Sequence, residues 1–243
     1  ARSRSPRQRG VGSFASGLGN VSASISSSTG LPIVQLTHPC GDTCCVQVAG
    51  AGVLSWKTAA GGERLVQPGG DVVAGVTPCG LPAGIAAESW SIEAMSGGGG
   101  ASTATEDDAE VKVSVSCQTQ CGAVRAIVRV SVTLGPGSLA AELEIANDLD
   151  EDTADGNLGL GLIGFRTSCT VGGQQTVSAA SAGGGVEEAL RQAGLRHQIE
   201  GFSTAALVGG AQGCCIDVAA ANALTLGPGQ VVSGTLTLEE LPR

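Results

Sequence analysis

Tyrosine is absent from this chain, and its 243 residues hold only two tryptophans and three phenylalanines. A core built without aromatics must be filled by aliphatic and small side chains. So few flat rings also leave little on which sugars or single-stranded bases could stack. Charge is scarce as well, at 14% of residues, and it leans acidic: 22 Asp and Glu against 13 Lys and Arg, for a net charge of −9. Four of the basic residues, Arg2, Arg4, Arg7 and Arg9, precede everything else, so the body is more acidic still. A face that neutralises phosphates must be basic, which excludes nucleic acid as a partner of the folded part. No apolar run is long enough to cross a bilayer. The best windows are short or are interrupted by Arg125 and Arg129 or by Asp217, so no transmembrane segment is expected, although a peripheral contact with a membrane complex stays open. The two histidines, His38 and His197, stand near no recognisable nucleophile. His38 precedes Pro39 and reads as part of a turn, while His197 falls at the end of a weakly helical segment, where a cation would suit the dipole.

What the chain does have is glycine, 39 residues of it, and 42% hydrophobic residues, a globular composition. From Leu31 onward the pattern is one of short strands and turns. Val111, Val113 and Val115 alternate with Lys112, Ser114 and Ser116, the period of two that marks a half-buried strand. Strands are predicted at 33–37, 44–48, 53–57, 110–117, 123–133, 139–146, 158–167, 176–178, 213–219 and 233–238. Two tight turns share a local sequence, Thr133-Leu134-Gly135-Pro136-Gly137 and Thr225-Leu226-Gly227-Pro228-Gly229. One segment, 186–198, reads as helix, with Leu190 and Ala193 on a common face and Gly194 weakening it. These features imply an all-β fold, a large antiparallel β-sandwich, over residues 30–243. Residues 1–29 read as a separate basic, Ser- and Gly-rich arm, with no acidic residue before Asp42. Arg-rich, Ser-rich and acid-poor is the composition of an organellar transit peptide or of the segment directly after one.

Three constellations invite chemistry. Gly159-Leu160-Gly161-Leu162-Ile163-Gly164 has the spacing of a dinucleotide fingerprint, but that motif works by opening a helix, and here a β-like stretch comes next. Asp148, Asp150, Asp152 and Asp155 suggest calcium, yet an EF-hand counted from Asp148 would find Thr153 and Gly159 where Gly and Glu are needed, so a solvated turn is the better reading. The nine cysteines, an odd number with irregular spacing, argue against a disulfide framework and read as small buried hydrophobes in a reducing compartment. A hairpin disulfide between Cys117 and Cys121 stays open. A zinc site is disfavoured, because Cys44-Cys45 and Cys214-Cys215 are adjacent pairs whose members would point to opposite faces of a strand. No cofactor and no metal are expected.

Several segments resemble a known family. LPIVQLTHP at 31–39 and AGAGVLSWK at 49–57 are similar to the first strands of hexose-6-phosphate mutarotases, in the aldose 1-epimerase group with the galactose-mutarotase-like supersandwich fold. Glu63-Arg64-Leu65 falls where the family has a short strand, and Arg64 is the candidate binding residue. Pro78-Cys79-Gly80-Leu81-Pro82 looks like a shortened Gly-Ile-Pro loop, and 214–219 together with 226–230 look like the closing strand and turn. The family opens and closes a sugar ring with a histidine acid and a glutamate base, each placed against its own oxygen. On this resemblance the acid's position holds Ala83 and the arginine's holds Ala87. A second histidine position falls near Leu162, and only the base survives as a carboxylate, Asp217, one methylene shorter.

The resemblance therefore implies a non-catalytic mutarotase-like subunit. It would be an accessory or scaffold in a large organellar complex, with the arm docked on a neighbouring protein subunit. A photosynthetic complex is the preferred setting, chloroplast ahead of mitochondrion, because mutarotase-like subunits occur in the chloroplast NADH dehydrogenase-like complex. Two alternatives stand beside it. One is an active hexose-6-phosphate 1-epimerase with relocated groups, His38 or His197 as acid and Asp217 as base. The other is a sugar-phosphate-binding module without turnover.

Overall fold

The computed structural model describes residues 14–16, 19–26, 30–60, 62–65, 75–82, 85, 89–97, 110–150, 156–169, 185–210, 213–219 and 224–242. The strands in chain order begin with β1 (Phe14–Ser16), β2 (Gly19–Ile25), β3 (Pro32–Thr37), β4 (Thr43–Gln47), β5 (Val53–Lys57) and β6 (Gly75–Cys79). Next come β7 (Trp90–Ser96), β8 (Val111–Cys121), β9 (Val124–Gly135), β10 (Ser138–Asn147), β11 (Leu158–Leu160) and β12 (Gly164–Ser168). After the helix α1 (Gly185–Gln192) come β13 (Leu195–Glu200), β14 (Thr204–Gly210), β15 (Gly213–Ala219), β16 (Leu224–Leu226) and β17 (Val231–Glu240). They form a nine-stranded sheet ordered β1-β2-β3-β4-β5-β6-β12-β15-β14 and a six-stranded sheet ordered β13-β17-β10-β9-β8-β7, with β11 and β16 as a small separate pair. The pairings are antiparallel, as expected for the sandwich.

Alternation decides which face each strand buries. In β8, β9 and β10 the buried series runs Val111, Val113, Val115, then Val124, Ala126, Val128, Val130, Val132, Leu134, then Leu139, Ala141, Leu143, Ile145. Facing them from the other sheet are Val34, Leu36, Val46, Val53, Trp56, Val76 and Phe165. The branched aliphatics fit a pleated, buried surface, and few aromatics are needed because the two layers interdigitate with Val and Leu. Phe165 and Phe202 meet edge to face, ring centroids 6.0 Å apart at 83°, a favourable quadrupole geometry.

One buried carboxylate ties the layers together at their end. Asp42, 2% exposed, lies in the β3–β4 turn. Its Oδ1 accepts from the Ala59 N–H at 2.5 Å and its Oδ2 from the Gly137 N–H at 2.7 Å. Gly137 sits in the predicted Gly-Pro-Gly turn between β9 and β10, with φ 63°, and its carbonyl accepts the Glu240 N–H.

Several sequence expectations shift. The helix stops at Gln192, because Gly194 takes φ 72° and its N–H closes on the Arg191 carbonyl, after which Leu195–Glu200 becomes the edge strand β13. His197 therefore stands on a strand and not at a helix terminus. The predicted strand 158–167 is two strands, broken at Gly161–Ile163. Residues 14–16 and 19–25, grouped with the arm by composition, form β1 and β2. β2 pairs with β3 from Asn20↔Thr37 to Ile25↔Pro32 and buries Val21, so the sheet extends into the segment assigned to the arm. The strand predicted at 176–178 lies outside the described residues.

Candidate functional site

Three strands that are far apart in sequence, β6, β12 and β15, lie side by side near two of the residues singled out by the family resemblance, Leu162 and Asp217. β12 pairs with β6 on one side and β15 on the other. Phe165 and Thr167 of β12 are buried toward the core, so by alternation Arg166 belongs to the opposite face. The register puts Thr77 of β6 and Asp217 of β15 directly across from Arg166 on its two sides. The result is a row in register, Thr77–Arg166–Asp217, across three neighbouring strands of the nine-stranded sheet.

Leu162 borders this row where the chain leads into β12, and it is 54% exposed. Its backbone is pressed against the segment leaving β6. A Cβ added to Gly80 would stand 2.1 Å from the Leu162 carbonyl oxygen, and Gly80 has φ 68°. Only glycine satisfies both the dihedral and the approach, so Gly80 lets the segment after β6 close onto β12. Ala83 and Ala87 lie beyond it, outside the described residues.

Arg166 is the residue that sequence reading missed. It comes just after the stretch compared with the family's histidine strand, and its being the one charged residue of β12 was a signal. What gives that signal meaning is its pairing with Asp217, which depends on register across a gap of 51 positions in sequence.

Neither histidine reaches the row. His38 directly follows β3, and the strands β4, β5, β6 and β12 intervene before β15, a span of roughly 24 Å at about 4.8 Å per strand. His197 stands on β13, the edge of the other sheet. Arg64, the candidate binding residue, pairs its guanidinium with the Glu240 carboxylate of β17, which links the two sheets. Its neighbour Glu63 accepts from Ser55 Oγ at 2.5 Å and from the Trp56 N–H at 2.9 Å.

The other constellations resolve as structure. The glycine-spaced motif 159–164 runs from β11 into β12 and opens no helix. Asp148 pairs with Arg125 and Asp150 is exposed, while Asp152 and Asp155 lie outside the described residues. Cys117 and Cys121 both sit on β8, opposite Val128 and Val124. Four residues of extended strand separate their Cα atoms by about 13 Å, beyond what a disulfide spans. Burial pushes the Cys117 thiol up to about 11, the behaviour of an inert buried thiol. Cys44 and Cys169 are buried too, but Cys40 is exposed, and Cys45, Cys79 and Cys121 are partly exposed. The reading of the cysteines as buried hydrophobes thus holds for some of them only. Among the described residues no group of His, Cys, Asp and Glu is placed to hold a metal ion, and no helix is long and apolar enough to cross a membrane.

No protein-family model and no curated protein sequence matches the chain. Solved structures do. A galactose mutarotase-like protein from Clostridium acetobutylicum superposes with a TM-score of 0.63 at 12% identity, covering 91% of this chain and 98% of the other. A protein of Escherichia coli K12, described provisionally as an aldose 1-epimerase, gives 0.54 at 10% identity over 86% and 99%. The galactose 1-epimerase of Lactobacillus acidophilus NCFM gives 0.51 at 11% identity over 93% and 100%. The chain has the galactose-mutarotase-like fold, and at these identities the likeness concerns the fold alone.

Proposed function

We propose that this chain is a non-catalytic protein of the galactose-mutarotase-like fold that serves as an accessory or scaffold subunit of a larger organellar assembly, with a photosynthetic complex of the chloroplast as the preferred setting. One observation carries the non-catalytic reading: no histidine stands beside Asp217. Opening a sugar ring requires an acid at the ring oxygen and a base at the anomeric hydroxyl, both within hydrogen-bond reach of one sugar. His38 and His197 lie on other parts of the two sheets, which weighs against an epimerase with relocated groups. Arg166, the cation nearest in register to Asp217, stays protonated at any working pH and donates no proton to a substrate. The organellar setting is supported by the Arg- and Ser-rich, acid-poor composition of residues 1–29.

The test is exchange NMR on the anomers of glucose 6-phosphate and of galactose. The purified chain is expected to leave the interconversion at the rate of buffer alone. Turnover that disappears in Asp217→Asn would overturn the proposal, as would failure of the native protein to migrate with a larger complex on native gels.

A second reading, binding without turnover, is favoured by the row Thr77–Arg166–Asp217. A guanidinium suits a sugar phosphate. All four aromatic residues whose side chains are described, Trp56, Trp90, Phe165 and Phe202, are buried and leave no ring for stacking, so this reading ranks below the first. Calorimetric titration with glucose 6-phosphate, and its loss in Arg166→Ala, would support it.

A further inference from the structure

The turn from β3 to β4 carries a second cluster that the proposed function does not use. His38, Cys40 and Asp42 alternate along it, and the turn is closed by His38 N–H on the Asp42 carbonyl and Gly41 N–H on the His38 carbonyl. Cys40 is exposed, whereas His38 is 1% exposed. The Cys40 Sγ lies 2.9 Å from His38 Nδ1. The same Nδ1 accepts the backbone N–H of Cys40 at 3.1 Å. A backbone N–H can only donate, so Nδ1 is the unprotonated nitrogen of the ring and the base within reach of the thiol, whose other hydrogen-bond partner is Asp42. A solvent-facing sulfur thus rests against a buried imidazole held in the accepting tautomer, the pairing that activates a nucleophile.

We propose that Cys40 is a modification site for small-molecule disulfides, with His38 Nδ1 as the proton acceptor. In the step, the Cys40 proton passes to Nδ1 and the sulfur attacks one sulfur of R–S–S–R. A Cys40–S–S–R bond forms as the reagent's S–S bond breaks. The departing thiolate takes the proton from the imidazolium and leaves as R–SH, so Cys40 is oxidised as the reagent is reduced. Burial and the nearby Asp42 carboxylate hold the free thiol above its ordinary value. The resting group is therefore S–H, and its reactivity depends on the imidazole in contact with it. The mixed disulfide replaces the S–H···N contact beside the Asp42 tie between the sheets, so the modified protein is also expected to melt at a lower temperature.

The experiment uses the full chain and oxidised glutathione near neutral pH, with intact mass and peptide mapping as the readout. The expected result is a single glutathione adduct on Cys40, formed at least about tenfold faster than at the same cysteine in the urea-unfolded chain, the low end of what a positioned base contributes. A folded His38→Gln variant, checked by circular dichroism, is expected to lose that acceleration. Equal or slower reaction in the folded chain, adducts spread over other cysteines, or an unchanged rate in folded His38→Gln would each overturn the proposal. Should His38→Gln not fold, the ratio of native to unfolded rates still decides it.

Discussion

The two sheets of this molecule are built on different terms. In the six-stranded sheet, β8, β9, β10 and β17 keep unbroken register along their lengths, from Val111↔Leu134 to Cys121↔Val124 and from Ser138↔Glu239 to Ala146↔Val231. Its outer face is laced by ion pairs, Arg129 with Glu93 and Glu144, Lys112 with Glu142, Arg196 with Glu239. The nine-stranded sheet is assembled from short strands. β4 and β5 slip register between Cys45 and Val46, as β7 and β8 do between Ile92 and Ala94 at the edge of the other sheet, and Gly75 and Gly80 sit where a Cβ would strike backbone, as Gly201 does against Ser233 of β17. Both special clusters, the Thr77–Arg166–Asp217 row and the Cys40–His38 turn, belong to this second sheet. Regular pairing makes a support, and sites collect where close approach and short strands bring distant segments together.

The difference can be pressed by truncating each layer. Phe165→Ala, beside Arg166 in β12, is expected to cost about 3–5 kcal/mol, and Leu143→Ala, in the regular sheet, about 2–5 kcal/mol, both read by urea denaturation. The contrast in construction does not predict a contrast in core energetics, and a Phe165→Ala cost near zero would mean that the site layer is not part of the cooperative core.

Glycine substitution should separate two positions, one in each sheet, more sharply. Gly80 and Gly122 have nearly equal φ, 68° and 65°, but a Cβ at Gly122 meets open space in the β8–β9 turn. Gly122→Ala should therefore cost only the left-handed backbone penalty, about 1–2 kcal/mol. Gly80→Ala should exceed it, because the Leu162 backbone must also move. Equal melting temperatures for the two variants would remove the close approach as an element of the site.

The tie between the sheets is worth less. Asp42→Asn keeps the shape but gives up a carboxylate that accepts two N–H groups from different layers, and the expected loss is about 1.5–3 kcal/mol. The smallest effect belongs to the outer face. Arg129→Ala should cost under about 1 kcal/mol, since the pair is over a third exposed and screened by solvent. Its pH dependence has a definite sign. The Arg129 hydrogen bond holds the Glu93 carboxyl below its ordinary value of 4.5. The pairing thus contributes fully above that value and fades as the pH falls through the lowered native one. Thermal melts of wild type and Arg129→Ala should converge on acidification.

Much of the regular sheet is legible in the sequence because its signal is local. The alternation at 111–116 and the two Leu-Gly-Pro-Gly turns place β8 to β10 and β17 within a few residues. The site is legible only in part. Asp217 and the vicinity of Leu162 come from the family resemblance, and the fold does bring their strands side by side. Arg166 does not, since its significance is a cross-strand partner. The same holds for β2, whose Val21 and Ala23 alternate with serines in a stretch that composition marks as an arm.

By itself the sequence determined an all-β sandwich with an aliphatic core, tight Pro-Gly turns, two histidines and five aromatic residues. Those properties depend on residue type and on neighbours a few positions away, where backbone sterics and the period of two act. Only the tertiary structure decided that β6, β12 and β15 lie together, that Arg166 stands in register with Asp217 while both histidines stand elsewhere, and that Cys40 meets His38 at a closed turn. Strand order and side-chain contact come from burial summed over both sheets at once, and no local stretch of sequence carries that sum.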